Sequence, residues 1–204
     1  MVAWNKNFRK NVMKTNNQYF LLRHGQTIYQ KENRKVNYTR EENPFLTLTE
    51  EGKKMIENST KTLKDKNINL IFASPYERAK QSAIIVSKMI GVDNINYDNR
   101  IIDIDLGKFM GGLTQDSEVF YSTGSFDSRP DGGESWNDIL KRVREFLEEL
   151  ETKYKGQNIL IVSHADPIWL MAGYLRGYKN EEEFLESRKD TENSYPKLAQ
   201  LIKV

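Results

Sequence analysis

The sequence predicts an α/β fold: a three-layer α/β/α sandwich on a mostly parallel central sheet. Short continuous apolar runs, Tyr19 to Leu22, Ile68 to Ala73 and Ile159 to Ser163, suit strands buried on both faces. They alternate with longer segments whose apolar residues keep helical spacing, the pattern of a parallel sheet covered on both sides. The composition agrees. A chain of 204 residues, 38% hydrophobic and 29% charged, is large enough for one domain with a sizeable core.

Residues 1–17 are polar and basic and read as a tail ahead of a single domain over 18–204. In the tail Trp4, Phe8 and Val12 recur every fourth residue, the spacing of a short amphipathic helix, although a loosely packed tail is the favoured reading. It has no continuous apolar core of the signal-peptide kind, and no run in the chain approaches the ~20 residues of a membrane span. A cytoplasmic address is the resulting expectation.

Tyr19 to Leu22 is the first strand, and the polar stretch Gln30 to Asn43 reads as a surface loop. Thr49 is placed to cap a helix whose first turn holds Glu50 and Glu51, where the helix dipole favours negative charge; it is expected to run to about Lys66. After the second strand, Ser74 as N-cap and Pro75 at the first helical position predict a helix to Ile90 that stops at Gly91. Ile95 to Tyr97 reads as an edge strand. Ile102 to Glu134 is broken by glycines and studded with aromatics, so a loop or lid over a site is expected.

Ser135 and Asp138 form a capping-box pattern, and Trp136, Ile139, Leu140, Val143, Phe146, Leu147 and Leu150 follow on one helical face. After the third strand, Asp166 reads as an N-cap and Pro167 opens a helix over Ile168 to Arg176. A charged helix from Glu181 to Arg188 and a last strand within Leu198 to Val204 complete the chain.

The chain has two histidines, and both follow apolar strands directly. In parallel sheets ligands bind beyond the carboxyl ends of the strands, so Arg23, His24, Ser74, Ser163 and His164 are expected on one edge. Arg78, one turn into the helix after the second strand, can reach back to them. Two guanidiniums and two imidazoles suit a tetrahedral dianion, and the N–H groups of Ala165 and Asp166 add donors near a helix start. Neutral imidazole is a competent nucleophile toward phosphorus near neutral pH, and fixed cationic donors stabilise charge on the equatorial oxygens. The leaving oxygen needs a proton, for which Asp103, Asp105 and Asp166 are the candidates.

Each residue also has a plainer reading. Arg23 can serve a salt bridge, a lone histidine can be structural, Arg78 can lie on a solvated helix face, and Asp166 can simply cap. Their coincidence on one edge favours the chemical reading. No cofactor and no metal are expected: the chain has no cysteine, and its two histidines are far apart in sequence. A formal net charge of +2 without a long basic stripe argues against a nucleic-acid partner.

Arg23-His24-Gly25-Gln26-Thr27 resembles the signature of the histidine phosphatase superfamily, also called phosphoglycerate mutase-like. Leu48-Thr49-Glu50-Glu51-Gly52, the block from Ser74 to Ala83, Gly132-Gly133-Glu134-Ser135 and Val162-Ser163-His164 resemble its further motifs, in order, over about Gln18 to Val204. The resemblance implies a phosphohistidine on His24, with Arg23, Arg78 and His164 completing the phosphate pocket and Thr27 and Gln30 bordering it. It aligns Asp103 with the family's acidic residue, here an Asp where a Glu is usual. The expected activity is a metal-independent phosphomonoesterase acting on a small phosphorylated metabolite. A mutase and a catalytically weak phosphate-binding or interaction module are the alternatives. Neither a membrane nor a nucleic acid is expected as partner, and nothing selects between monomer and dimer. Selectivity is expected from Ile104 to Glu134 and Gln30 to Asn43, where Lys31, Arg34, Lys35 and Arg40 either meet further negative charge or face solvent.

Overall fold

The computed structural model describes residues 15–190 and 194–204. Trp4, Phe8 and Val12, and the helix expected from them, lie outside the described residues. Five strands form one sheet in the order β3-β2-β4-β1-β5: β1 (Gln18–Arg23), β2 (Leu70–Ala73), β3 (Ile95–Tyr97), β4 (Asn158–Ser163) and β5 (Leu201–Lys203). All pairings are parallel except β1 with β5. The seven α-helices of the described residues are α1 (Ile28–Lys31), α2 (Glu50–Ser59), α3 (Glu77–Ile90), α4 (Thr114–Thr123), α5 (Trp136–Lys153), α6 (Ala165–Leu175) and α7 (Glu181–Lys189).

The three layers follow from strand periodicity. Successive strand side chains point to opposite faces. Tyr19, Leu21, Phe72, Ile159 and Ile161 enter one core with the apolar stripe of α5 and with α6. Phe20, Leu22, Ile71, Leu160 and Val162 enter the other, against α2 and α3. Because both faces are covered, the strands read as unbroken apolar runs rather than alternating ones.

Several boundaries differ from the sequence expectation, each for a local reason. Asn16 and Asn17, assigned to the tail, are tied to the domain: Asn17 Nδ2 donates to Glu151 Oε1 and to the Tyr154 carbonyl at 2.9 Å each. The helix capped by Thr49 ends at Ser59, and a 3-10 turn covers Lys61–Asp65. Ser74 does not cap α3. Tyr76 holds that position, and Ser74 is engaged with a histidine instead. His164, not Asp166, is the N-cap of α6, which begins two residues before Pro167. Within 102–134 the structure has α4, a helix with no side-chain cap and a Leu at its N-cap. Without a capping signal or a continuous apolar stripe, its sequence carries little helical pattern.

Gly25 and Gly52 are required by packing between two backbones. A Cβ on Gly25 would lie 2.4 Å from the Gly52 carbonyl oxygen, and one on Gly52 would lie 2.2 Å from the Gln26 carbonyl oxygen. The first turn of α2 therefore rests directly on the loop leaving β1, with Thr49 N–H donating to the Gln26 carbonyl at 2.9 Å.

Candidate active site

The ladder places the chemistry. Arg23 pairs with Ser163, Ala73 with Val162, and His24 N–H donates to the Ser163 carbonyl at 3.0 Å. The next residues of β1, β2 and β4 are thus His24, Ser74 and His164, side by side at the carboxyl edge. The imidazole centroids of His24 and His164 are 5.2 Å apart, and both rings are buried.

Hydrogen bonding fixes the His24 tautomer, and the neighbouring carboxylate favours one for His164. His24 Nδ1 lies 2.8 Å from the Gly25 carbonyl, which can only accept, so Nδ1 carries the proton and Nε2 presents a lone pair. That lone pair meets Arg78 Nε–H at 3.3 Å. Ser74 Oγ accepts from the Tyr76 N–H at 3.3 Å and keeps a hydroxyl proton that it can donate to His164 Nε2 at 2.8 Å, an arrangement favoured by the Asp103 carboxylate on the other side of the ring. His164 then carries its proton on Nδ1, the atom 3.6 Å from Asp103 Oδ2 and without a hydrogen-bond partner among the described residues. One histidine offers a nucleophilic nitrogen and the other a donor.

Arg78 is fully buried, which excludes the solvated-face reading. Its Nη1 donates to the Asn43 carbonyl at 2.5 Å, and its Nη2 donates to Asn43 Oδ1 at 2.6 Å and Asp103 Oδ2 at 2.8 Å. The rings of Tyr38 and Tyr76 stand 4.7 and 5.3 Å from its guanidinium carbon. Arg23 Nη1 donates to the Pro196 carbonyl at 2.8 Å, and its buried Nε is unpartnered among the described residues. Burial first, then the charges of Arg78, His164 and Arg23, hold His24 well below its ordinary protonation range; burial, Arg78, Arg23 and Arg142 do the same to His164. Both imidazoles are neutral at pH 7.

Arg23, His24, Gln30, Asp103, Ala165 and Asp166 all line one cavity of 440 Å³. Gln30 is tied at both ends, accepting from the Thr27 hydroxyl at 2.7 Å and donating to Tyr38 Oη at 2.7 Å. Thr27 is fully buried behind it. Ala165 begins α6, whose first-turn amides face this edge. Asp105 does not reach the cavity. It pairs with Arg40 at 2.5 and 3.0 Å and accepts from Gly107 N–H at 2.9 Å. Asp166 does reach it, with Tyr195 Oη donating to its Oδ1 at 3.3 Å, and burial raises its carboxyl above the ordinary range.

The residues that hold Asp103 escaped the sequence reading. Arg142 donates to the Arg100 and Asp103 carbonyls at 2.6 and 3.3 Å and pairs with Glu134 at 2.9 Å. Gly133 lets the Glu134 segment lie flat on this turn: a Cβ there would meet the Asp105 carbonyl oxygen at 2.6 Å. The Gly-Gly-Glu block was visible as a motif, but its anchoring task was not. Asn43 gave no signal, since it sits in a polar loop.

The neutral histidines predict an acid-sensitive fold. Unfolded imidazoles take up protons near 6.5, whereas the folded ones resist, so their stabilisation is complete above 6.5 and is lost as pH falls toward the folded values. Asp166 acts oppositely: its contribution is full below 3.8 and declines as pH rises through its raised folded value. In an Asp166→Asn variant, urea denaturation should show stability falling as the pH drops below the imidazole value. Unchanged stability would mean that the imidazoles are not held neutral.

A family profile described as histidine phosphatase superfamily (branch 1) matches residues 19–189. A bifunctional protein of Mycobacterium tuberculosis is 30% identical over 158 residues, covering 74% of this chain. The chain spans 42% of the length of that relative. Phosphoserine phosphatase 1 of Hydrogenobacter thermophilus is 30% identical over 137 residues, 64% of each chain. Among solved structures, a mycobacterial glucosyl-3-phosphoglycerate phosphatase with bound VO3 superposes with a TM-score of 0.76 at 20% identity, covering 91% of both chains. That likeness supports the fold.

Proposed function

The chain belongs to the histidine phosphatase superfamily, branch 1, and from that premise we propose that it is a metal-independent phosphomonoesterase acting on a small phosphorylated metabolite through a phosphohistidine on His24. The observation that supports this reading is the set of buried nitrogens at one edge: His24 Nε2 bears a lone pair that meets only Arg78 Nε–H, a donor that an entering phosphoryl group can take over, and His164 Nδ1 and Arg23 Nε have no partner among the described residues. Unpaired buried donors are costly, and a phosphoryl group satisfies both at once.

In the proposed reaction the phosphoryl dianion is gripped by Arg23, Arg78, His164 and the first amides of α6. His24 Nε2 attacks phosphorus, the P–O ester bond breaks, and Asp103, which takes up a proton from solvent when the entering dianion claims Arg78, delivers that proton to the leaving oxygen. Water then attacks the phosphohistidine and gives its proton to the Asp103 carboxylate. Phosphate leaves and His24 is regenerated. Arg78 and Arg23 remain fixed throughout, so little reorganisation accompanies the charge on the equatorial oxygens.

The test is phosphate release with EDTA present from p-nitrophenyl phosphate and from sugar phosphates, glycerate phosphates, nucleotides and phosphopeptides. Release from at least one, lost in His24→Ala, is the expected result. No release from any would sink the enzyme reading, and interconversion of 2- and 3-phosphoglycerate without release would move it to a mutase. Asp103 has its own test. Asp103→Asn should slow hydrolysis of an alkyl phosphate about 100-fold or more and that of p-nitrophenyl phosphate much less, because p-nitrophenolate leaves unprotonated. Equal slowing of both would reject the proton-donor role and turn attention to Asp166.

A further inference from the structure

A guanidinium carries its N–H donors in one rigid plane, and the surroundings of Arg78 divide them between two edges. Nη1 and Nη2 form one fork, and both arms end on a single residue: the Asn43 carbonyl at 2.5 Å and Asn43 Oδ1 at 2.6 Å. Nε and Nη2 form the other fork, which faces His24 Nε2 at 3.3 Å and Asp103 Oδ2 at 2.8 Å. The fork aimed at the proposed nucleophile and proton donor is the one that Asn43 leaves open.

Asn43 is itself fixed. It is buried, and its N–H donates to the Thr39 carbonyl at 3.0 Å. The carbonyl of the next residue, Pro44, accepts from the Glu77 N–H at 2.8 Å. Glu77 opens α3 immediately before Arg78, so loop and arginine are tied through backbone and side chain together. A guanidinium can only donate, so the amide oxygen of Asn43 must face it. The Tyr38 and Tyr76 rings pack on the guanidinium carbon at 4.7 and 5.3 Å but hold no particular N–H. His24 and Asp103 are the partners that an entering phosphoryl group displaces. The bonds that outlast its arrival are those to Asn43.

We propose that Asn43 is a positioning residue: it holds one fork of Arg78 so that the other, Nε–H and Nη2–H, meets two equatorial oxygens of the phosphoryl group. This rests on the phosphatase reading and adds to it a residue from outside the strand-end cluster. As the dianion enters, the Nε–H and Nη2–H bonds pass from His24 and Asp103 to phosphoryl oxygens, and the two bonds to Asn43 persist. An arginine free to swing would offer its donors one at a time, whereas a fixed fork offers two in the bidentate geometry that phosphate accepts. Fixed donors favour the five-coordinate transition state over the tetrahedral ground state, because charge develops on the equatorial oxygens while the donors need no reorganisation.

The probes are inorganic phosphate and orthovanadate, the second because it adopts the five-coordinate geometry of the transfer. Calorimetry gives the Kd of each, and the readout is the ratio of the two within one protein, which a partly unfolded sample does not imitate. The native protein should prefer vanadate. Asn43→Ala keeps the backbone carbonyl but removes Oδ1, and should weaken vanadate at least about tenfold and phosphate no more than about threefold. Asn43→Asp keeps an acceptor for Nη2, so the ratio should return to within about threefold of native, although both anions bind more weakly beside the added charge. In an Arg78→Lys background Asn43→Ala should move the ratio by less than about twofold, because the residue acts through the guanidinium. Equal weakening of both anions by Asn43→Ala, a native ratio in that variant, or an undiminished effect in the Arg78→Lys background overturns this inference and leaves the phosphatase reading standing. Binding of neither anion by the native protein, with no release from p-nitrophenyl phosphate, overturns both.

Discussion

His24→Ala should lower kcat for phosphate release by at least about three orders of magnitude while leaving ester binding largely intact. Removing the imidazole removes the only lone pair aimed into the phosphate site by a histidine, because His164 presents Nδ1–H and its other nitrogen is taken by Ser74 at 2.8 Å. His164 therefore cannot substitute without breaking that bond. Arg23, Arg78 and the first amides of α6 stay in place, so the ground-state grip on the phosphoryl group survives. Direct attack by water, helped by the same cationic donors, sets the residual rate. The measurements are kcat and KM in EDTA, together with trapping of acid-labile phosphate on the native protein. A fall smaller than tenfold, or trapped phosphate that persists in the variant, would place the nucleophile elsewhere.

Much of this was legible in the sequence, and the reasons differ by element. The strands were readable because β1 and β4 are buried on both faces, which compresses their pattern into runs such as Phe20-Leu21-Leu22 and Ile159-Leu160-Ile161-Val162. Helix α5 was readable because its cap and its apolar stripe are both local. The convergence of His24, Ser74 and His164 followed from topology alone, once the strands were taken as parallel neighbours. Local reading stopped where a residue's partner is distant in the chain. Ser74 sits where a helix cap belongs, yet its hydroxyl is spent on His164, 90 residues away. Asn43 sits in a polar loop, yet it holds the buried Arg78, 35 residues away, through two hydrogen bonds. The basic residues of the Gln30 to Asn43 loop read either as anion readers or as a solvated face. Two of them, Arg34 and Arg40, are paired with Glu32 and Asp105.

Arg78→Met should cost more stability than any other substitution at this edge, about 3 kcal/mol, as well as most of the activity. The guanidinium is fully buried and is the shared donor to Asn43 and Asp103. Without it the Asn43 carbonyl and amide oxygens lose partners, and Asp103 keeps a negative charge that only the cavity's water can solvate. The loss is thus dominated by what remains behind rather than by the bonds removed. That origin makes a specific forecast. Asp103→Asn removes the stranded charge, so in the double variant the two costs should be less than additive by about 1 kcal/mol or more. Denaturant titration of the native protein, both single variants and the double variant measures this term. Strict additivity would mean that Asp103 is solvated independently of Arg78, and the two would then not act as one unit when a phosphoryl dianion enters. Coupling of the expected sign would tie the stability of this edge to the proposed chemistry: Arg23 and Arg78 stand beside the Asp103 carboxylate, and their positive excess over it is what a phosphoryl dianion would neutralise.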